Sequence, residues 1–329
     1  MNRILQAAIF FGALITSNAH AVKSLETYVF GAARTAVDPL VVKENSKSST
    51  TLPIIDADFL NVQTTDAQAY VSYAAGASIG SVAASLATLA EGPYSPVFTS
   101  GVLDVDATGA VVASFTTDDI VFEAPTNTVT TVESLLNVSG TLFTGTNPAS
   151  EGAVAIANST VTVSVEINGP GVNFSAFGSR TLSEQNIWGE LETGPEVFDS
   201  GVFVGAIFPS AAEFGPVNVP TNTPLTMTVS LSLNAGAALD SQGGEAPFSG
   251  RASGDAIFGS TVNFPDSGPV FLVEPGITVS SVSASIVNNA WLGTPVSVSL
   301  VPLPPAAALI GLPLLAMMRR RSFASAPSG

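Results

Sequence analysis

Thr160-Val161-Thr162-Val163-Ser164-Val165-Glu166-Ile167 alternates a polar and an apolar side chain at every step. Successive strand side chains point to opposite faces, so this period of two predicts a half-buried β-strand. Thr226–Leu233 repeats the pattern, with Met227, Val229, Leu231 and Leu233 on one face. Thr278–Val287 alternates as well, with Val279 and Val282 out of phase around Ser280-Ser281, where a bulge fits. Val102–Asp106 and Ala110–Phe115 flank Ala107-Thr108-Gly109 and read as a hairpin closed by a glycine turn. Only Ser78–Ala90 reads differently: its Ala, Ser and Leu suit a short helix with Val82, Leu86 and Leu89 on one face.

Working outward, the chain from Thr51 onward is a series of short β-rich runs separated by Gly, Pro, Asn and Asp. That spacing predicts an all-β passenger, a β-sandwich or jelly roll over residues 52–295. Two sandwiches split near Pro125 are the alternative. Residues 22–51 form a first strand and a loop, the loop being the serine-rich Glu44–Thr51. No fixed-period repeat is present.

Composition narrows the chemistry. The 329 residues carry a formal net charge of -16, yet only 11% are charged and 46% are hydrophobic. A disordered polyelectrolyte needs the opposite balance, so the chain has ample material for a core. Between Ser48 and Leu300 the only basic residues are Arg180 and Arg251. Such an acidic surface repels phosphate backbones, which argues against a nucleic-acid partner. It suits either solubility or weak attraction of divalent cations. There is no cysteine, and the one histidine is His20. With His20 removed, the mature chain would lack the usual zinc ligands, the commonest general base and any serine–histidine–acid triad. No cofactor is expected.

The two ends carry addresses. Met1-Asn2-Arg3 is a basic start, Ile4–Ile15 an apolar run, and Thr16–Ala21 a polar stretch ending Ala19-His20-Ala21. This is the three-part order of a secretory signal peptide over residues 1–21, with Ala19 and Ala21 defining the cleavage site. The apolar run is short of the roughly 20 residues a spanning helix needs, against the alternative of a retained anchor. At the other end, Val301-Pro302-Leu303-Pro304-Pro305 precedes the apolar Ala306–Met318 and the basic Arg319-Arg320-Arg321. Clustered arginines favour the cytoplasmic side, so a helix over residues 306–321 leaves the passenger outside. Residues 296–305 form a tether and residues 322–329 a tail. An ordinary single-span anchor is the plain alternative, although Pro313 interrupts a stretch already short for one.

The order Val301-Pro302-Leu303-Pro304, apolar helix, Arg319-Arg320-Arg321 resembles the VPLPA variant of PEP-CTERM sorting domains. The resemblance covers about the last 25 residues. It departs from the family at Pro305, where the variant usually has alanine, and in the tail after the arginines. What it implies is recognition by an exosortase-type membrane enzyme of Gram-negative bacteria, through an inner-membrane intermediate. The passenger would then reach the cell surface or the extracellular matrix.

Within the passenger, Asp104, Asp106, Thr108 and Gly109 match the first half of a calcium loop, but its twelfth position would be Phe115 rather than the bidentate glutamate. An acidic surface hairpin is the simpler reading. Asp118-Asp119 and Asp56/Asp58 are weaker acidic pairs. Trp188 stands among Glu184, Glu190, Glu192 and Glu196, which suits either a sugar platform or an acidic loop pinned by its tryptophan. Nothing in that spacing sets two carboxylates about 5 to 9 Å apart, as glycoside hydrolysis requires. Trp291 reads as a core plug or as an interfacial aromatic. Asn137, Asn158 and Asn173 open N-glycosylation patterns that a Ser-, Thr- and Asn-rich chain produces by chance. The function expected is that of an exported, non-enzymatic surface or matrix protein. The alternative is a carbohydrate-binding module for extracellular polysaccharide, with a carboxylate glycosidase behind it.

Overall fold

The computed structural model describes residues 24–34, 41–50, 53–63, 67–92, 104–148, 153–187, 196–204, 216–241 and 250–300. The fold is all-β and sandwich-like, and no helix occurs among the described residues. One sheet runs β2 (Val41–Ser49), β1 (Ser24–Arg34), β6 (Asp104–Glu123), β12 (Leu225–Ser241), β8 (Ala153–Gly169), β9 (Val172–Ile187). Its seventh strand, β15 (Thr278–Ser280), pairs with the end of β6. The other sheet runs β10 (Glu196–Val204), β7 (Val129–Pro148), β13 (Gly250–Asn263), β5 (Ser81–Gly92), β4 (Gln68–Ser78), β3 (Ile54–Gln63). The short β11 (Val217–Pro220) and β14 (Phe271–Val273) also pair with β7. A small hairpin, β16 (Ile286–Val287) and β17 (Ala290–Trp291), closes the order. Strands from both sides of Pro125 pair within each sheet, β6 with β12 and β5 with β13.

The core lies between the sheets. Val161, Val163, Val165 and Ile167 of β8 point into it, as do Met227, Val229, Leu231 and Leu233 of β12. Both match the faces expected from alternation. Burying each such side chain contributes about 1.5–3 kcal/mol relative to leaving it in water. Edge-to-face ring pairs tie the far end together: Phe122 with Phe271 at 5.1 Å, Phe115 with Phe264 at 5.5 Å, and Phe264 with Trp291 at 6.1 Å. Trp291 is buried, so it is a core plug. Sharp turns use the residues that suit them. Pro170-Gly171 joins β8 to β9, with Gly171 at φ 76°, the proline-then-glycine order of a type II turn.

Four expectations are corrected. Residues 44–49 are not a loop but most of β2, paired with β1 from Leu25 opposite Ser49 onward; as a largely exposed edge strand it carries no apolar alternation to mark it. Ser78–Ala90 is not helical; it is the end of β4, the Ile79-Gly80 turn and most of β5. Nearly every residue of β4 and β5 is buried on both faces, so no polar alternation marks them. Their alanines, which favour helix in isolation, here serve close packing, and tertiary context overrides propensity. Residues 107–109 form no hairpin: β6 runs straight through them for 20 residues. Gly109 pairs with Gly31 and Ala235 in mid-strand. A Cβ there would lie 2.6 Å from Leu86 Cδ1 and 2.9 Å from Val71 Cγ1, so the glycine lets the facing sheet approach. Thr278–Val287 is not one bulged strand. It breaks after Ser280 into a turn in which Ser281 bridges back to Ile286 and Ser285 takes φ 55°.

No described helix is long and apolar enough to cross a membrane. The expected signal-peptide helix with Ala19 and Ala21, the 306–321 helix, the motif Val301–Pro304 and Arg319–Arg321 lie outside the described residues, as do Trp188, Glu190 and Glu192.

Candidate functional site

The side chains left outside by the β8 alternation form a regular hydroxyl-bearing surface. With Val161, Val163 and Val165 in the core, Thr160, Thr162 and Ser164 face outward. The register sets Thr160 beside Thr181 and Asn234, Thr162 beside Ser179 and Ser232, and Ser164 beside Phe177 and Ser230. One row further along, Thr228 stands between Thr116 and Glu166. Rows therefore repeat about every 6.8 Å along a strand and about every 4.8 Å across. Neighbouring hydroxyls bond to one another: Thr160 with Thr181 at 3.0 Å, Thr116 with Thr228 at 3.0 Å, and Thr162 donates to Ser179 at 3.0 Å. Such pairs fix rotamers and leave each hydroxyl further capacity to donate or accept. Phe177, 47% exposed, adds an apolar ring to this face. Aligned hydroxyls around an exposed ring can hydrogen-bond and stack on a polyhydroxylated ligand.

The acidic positions singled out from sequence behave otherwise. Asp104 and Asp106 lie on the straight β6, and Asp106 is half-buried opposite Ala238. A calcium loop must curl its ligands around one point, which an extended strand does not do. Among the described residues no group of three or more His, Cys, Asp or Glu side chains is placed to hold a metal. Glu184 is buried on β9, whereas Glu196 begins β10 in the other sheet, so the two are not neighbours in one sheet.

Three of the four carboxylates in the two weaker acidic pairs, Asp56, Asp58 and Asp119, are structural ties. Lys43 and Lys47 of the edge strand β2 reach across the sandwich to the edge strand β3. Lys47 Nζ lies 2.9 Å from Asp56 Oδ1 and donates to the Ile55 carbonyl at 2.9 Å. Lys43 pairs with Asp58, whose carboxyl is held below its usual range chiefly by that hydrogen bond. Burial, with Asp58 and Asp56 nearby, pushes the Tyr73 hydroxyl up to about 12. Asp119 accepts from the hydroxyls of Thr117, Ser281 and Ser283 and from the Ser283 N–H. On the outer side of β13, burial raises Asp255 to about 6, with Arg251 and the Thr88 N–H opposing the rise. The i, i+4 spacing of Lys43 and Lys47 and the i, i+2 spacing of Asp56 and Asp58 put each pair on one face of its strand. That spacing was the available signal for the ties.

No family model, curated protein or solved structure matches this chain.

Proposed function

We propose that the chain is an exported, non-enzymatic protein of the cell surface or extracellular matrix, its jelly-roll-like passenger handled by a C-terminal sorting signal. The observation that carries this reading is the tail itself: Val301-Pro302-Leu303-Pro304, an apolar stretch and Arg319–Arg321 in that order, behind an N-terminal export pattern. Beyond Ala21 the chain has neither histidine nor cysteine, which removes the commonest general base and any thiol nucleophile. The intact mass of protein recovered outside the cytoplasmic membrane of its host tests this. A chain starting at Val22 and ending between Val301 and Pro305 supports handling by an exosortase-type enzyme. A mass that retains Arg319–Gly329 makes the tail an anchor and removes the sorting signal from the proposal.

A second reading is favoured by the hydroxyl face: binding of extracellular polysaccharide across β8, β9 and β12. Phe177→Ala together with Thr162→Val would weaken retention on immobilised polysaccharide at least tenfold, and Trp188→Ala would not. Retention that instead depends on Trp188 would move binding to the acidic loop read from sequence. No retention on any polysaccharide would leave the matrix reading alone.

A further inference from the structure

The passenger's last described segment is not a free tether. It starts from a fixed point, since Trp291 is 5% exposed and packs on the β4–β5 turn. A Cβ on Gly80 would lie 2.5 Å from Trp291 Nε1, so only glycine fits beneath the ring. From there the chain crosses onto the outer face of the eight-stranded sheet. The Val296 N–H donates to Ser81 Oγ at 3.0 Å. A Cβ on Gly76 would lie 2.7 Å from Val298 Cγ1 and 3.2 Å from Val296 Cγ2. Ser81 ends the strand pair and Gly76 lies further in, opposite Ala83, so the segment advances along β4 as its numbering rises. Its burial alternates: Val296, Val298 and Leu300 turn inward, and Ser297 and Ser299 are exposed. That is the behaviour of an extended strap seated on a sheet face. The seat is Gly76, whose missing side chain leaves room for Val298, and its neighbour across the strand pair is the small, buried Ala83.

We propose that Val296–Leu300 is a docked strap that governs access to the Val301–Pro305 segment. An endopeptidase holds several residues on the N-terminal side of its cut as an extended strand. A cut after Leu303 places Leu300 four residues back from the bond, and a cut after Val301 takes up Val298. Neither fits an enzyme cleft while it lies on the sheet. Cleavage in this segment therefore requires the strap to lift from Gly76, and the passenger's own surface competes with any processing enzyme for it. The proposal gains its biological meaning from the sorting reading above, but its physical content does not depend on it.

The chain has no cysteine, so a disulfide can be placed without competition. In Gly76→Cys with Val298→Cys the two Cβ atoms lie within roughly 4 Å, inside the range a disulfide spans. Ser81→Cys with Val296→Cys is a second pair should the first perturb folding. The full-length chain in mild detergent, oxidised or reduced, is treated with a subtilisin-type protease, and cuts within 298–305 are timed by mass spectrometry. The expected result is spontaneous disulfide formation and at least tenfold slower cutting in the oxidised form, restored by reductant. Equal rates in both forms, or no disulfide in either pair, would overturn the strap. The added protease needs neither export nor host processing. A working lock beside a native mass that keeps Arg319 would therefore sink the sorting reading and leave the strap standing.

Discussion

The Ser283 main-chain N–H donates to Asp119 Oδ2 at 2.9 Å, binding the turn after β15 to the last third of β6. Burial pushes this carboxyl up, but hydrogen bonds from Ser281, Ser283 and Thr117 outweigh burial and bring it from 3.8 down to about 2. A depressed folded-state value stabilises the fold above pH 3.8, and that contribution is lost as the pH falls toward 2. Discounted for partial exposure, it amounts to about 1–2 kcal/mol. Asp119→Ala should cost about 2 kcal/mol at pH 7, since it also leaves the Ser283 N–H without its acceptor. Denaturant titrations of both proteins from pH 7 to pH 2 check this. A gap that stays constant across that range would mean the carboxylate charge is not what holds the turn.

The edge closure makes a second prediction. Asp56 is 3% exposed and Lys47 44%, so removing the lysine strands a buried carboxylate, whereas removing both removes the problem. Lys47→Ala should destabilise by about 2 kcal/mol, less than for a fully buried pair because the lysine meets solvent. Asp56→Ala in the Lys47→Ala background should recover part of that loss. The inward lysines also blunt β2 and β3 as templates for pairing with another chain, so Lys43→Ala with Lys47→Ala should raise self-association. A double-mutant cycle and light scattering measure the two effects, and additive stability losses would show that the pair is not coupled.

How much of this was legible follows from which faces meet water. β8 and β12 were readable because one face is core and the other hydroxyl, which writes a period of two into Thr160–Ile167 and Thr226–Leu233. β4 and β5 were not, because both faces are buried and small residues recur without alternation. Gly109 misled for a related reason: a turn and a close sheet approach both call for a missing Cβ, and sequence does not say which. The polar row of β8 was visible, but its continuation over β9 depends on register, which only the Pro170-Gly171 turn fixes. The Lys47–Asp56 and Asp119–Ser283 ties join residues distant in the chain or in different sheets: spacing sets Lys43 with Lys47 and Asp56 with Asp58 on one face each, but no local pattern says which faces meet.

The glycines that admit the facing sheet differ in what they touch, and this orders their mutational cost. A Cβ on Gly109 meets the methyl ends of Leu86 and Val71, which can rotate away. A Cβ on Gly254 would lie 2.3 Å from the Asn158 carbonyl oxygen and 2.8 Å from that of Gly236, both main-chain atoms of the opposite sheet. The Gly254 carbonyl also accepts from Thr88 Oγ1 of the adjacent β5 at 2.9 Å, so β13 cannot retreat without carrying β5 with it. Gly109→Ala should therefore cost about 1 kcal/mol and Gly254→Ala about 3 kcal/mol, within the range for overpacked cores. Thermal unfolding of the two variants decides it, and a reversed order would mean that the sheets part more easily at Gly254 than side chains rotate at Gly109.

Asp255 runs opposite to Asp119. Burial raises its folded-state value from 3.8 to about 6, so the folded chain holds this proton more tightly than the unfolded one. Stability from the protonated form is complete below pH 3.8 and is lost as the pH rises through about 6. Above that, the carboxylate, whose charge Arg251 only partly offsets, costs about 2 kcal/mol once discounted for partial exposure. Asp255→Asn keeps the shape and removes the charge. It should raise Tm at pH 7.5 by roughly 4–8 °C, at 2–4 °C per kcal/mol for a domain of this size, and leave Tm at pH 4 nearly unchanged. Calorimetry at the two pH values checks both halves. Equal stabilisation at pH 4 would assign the gain to packing, and none at either pH would mean that Arg251 and the Thr88 N–H already compensate the charge.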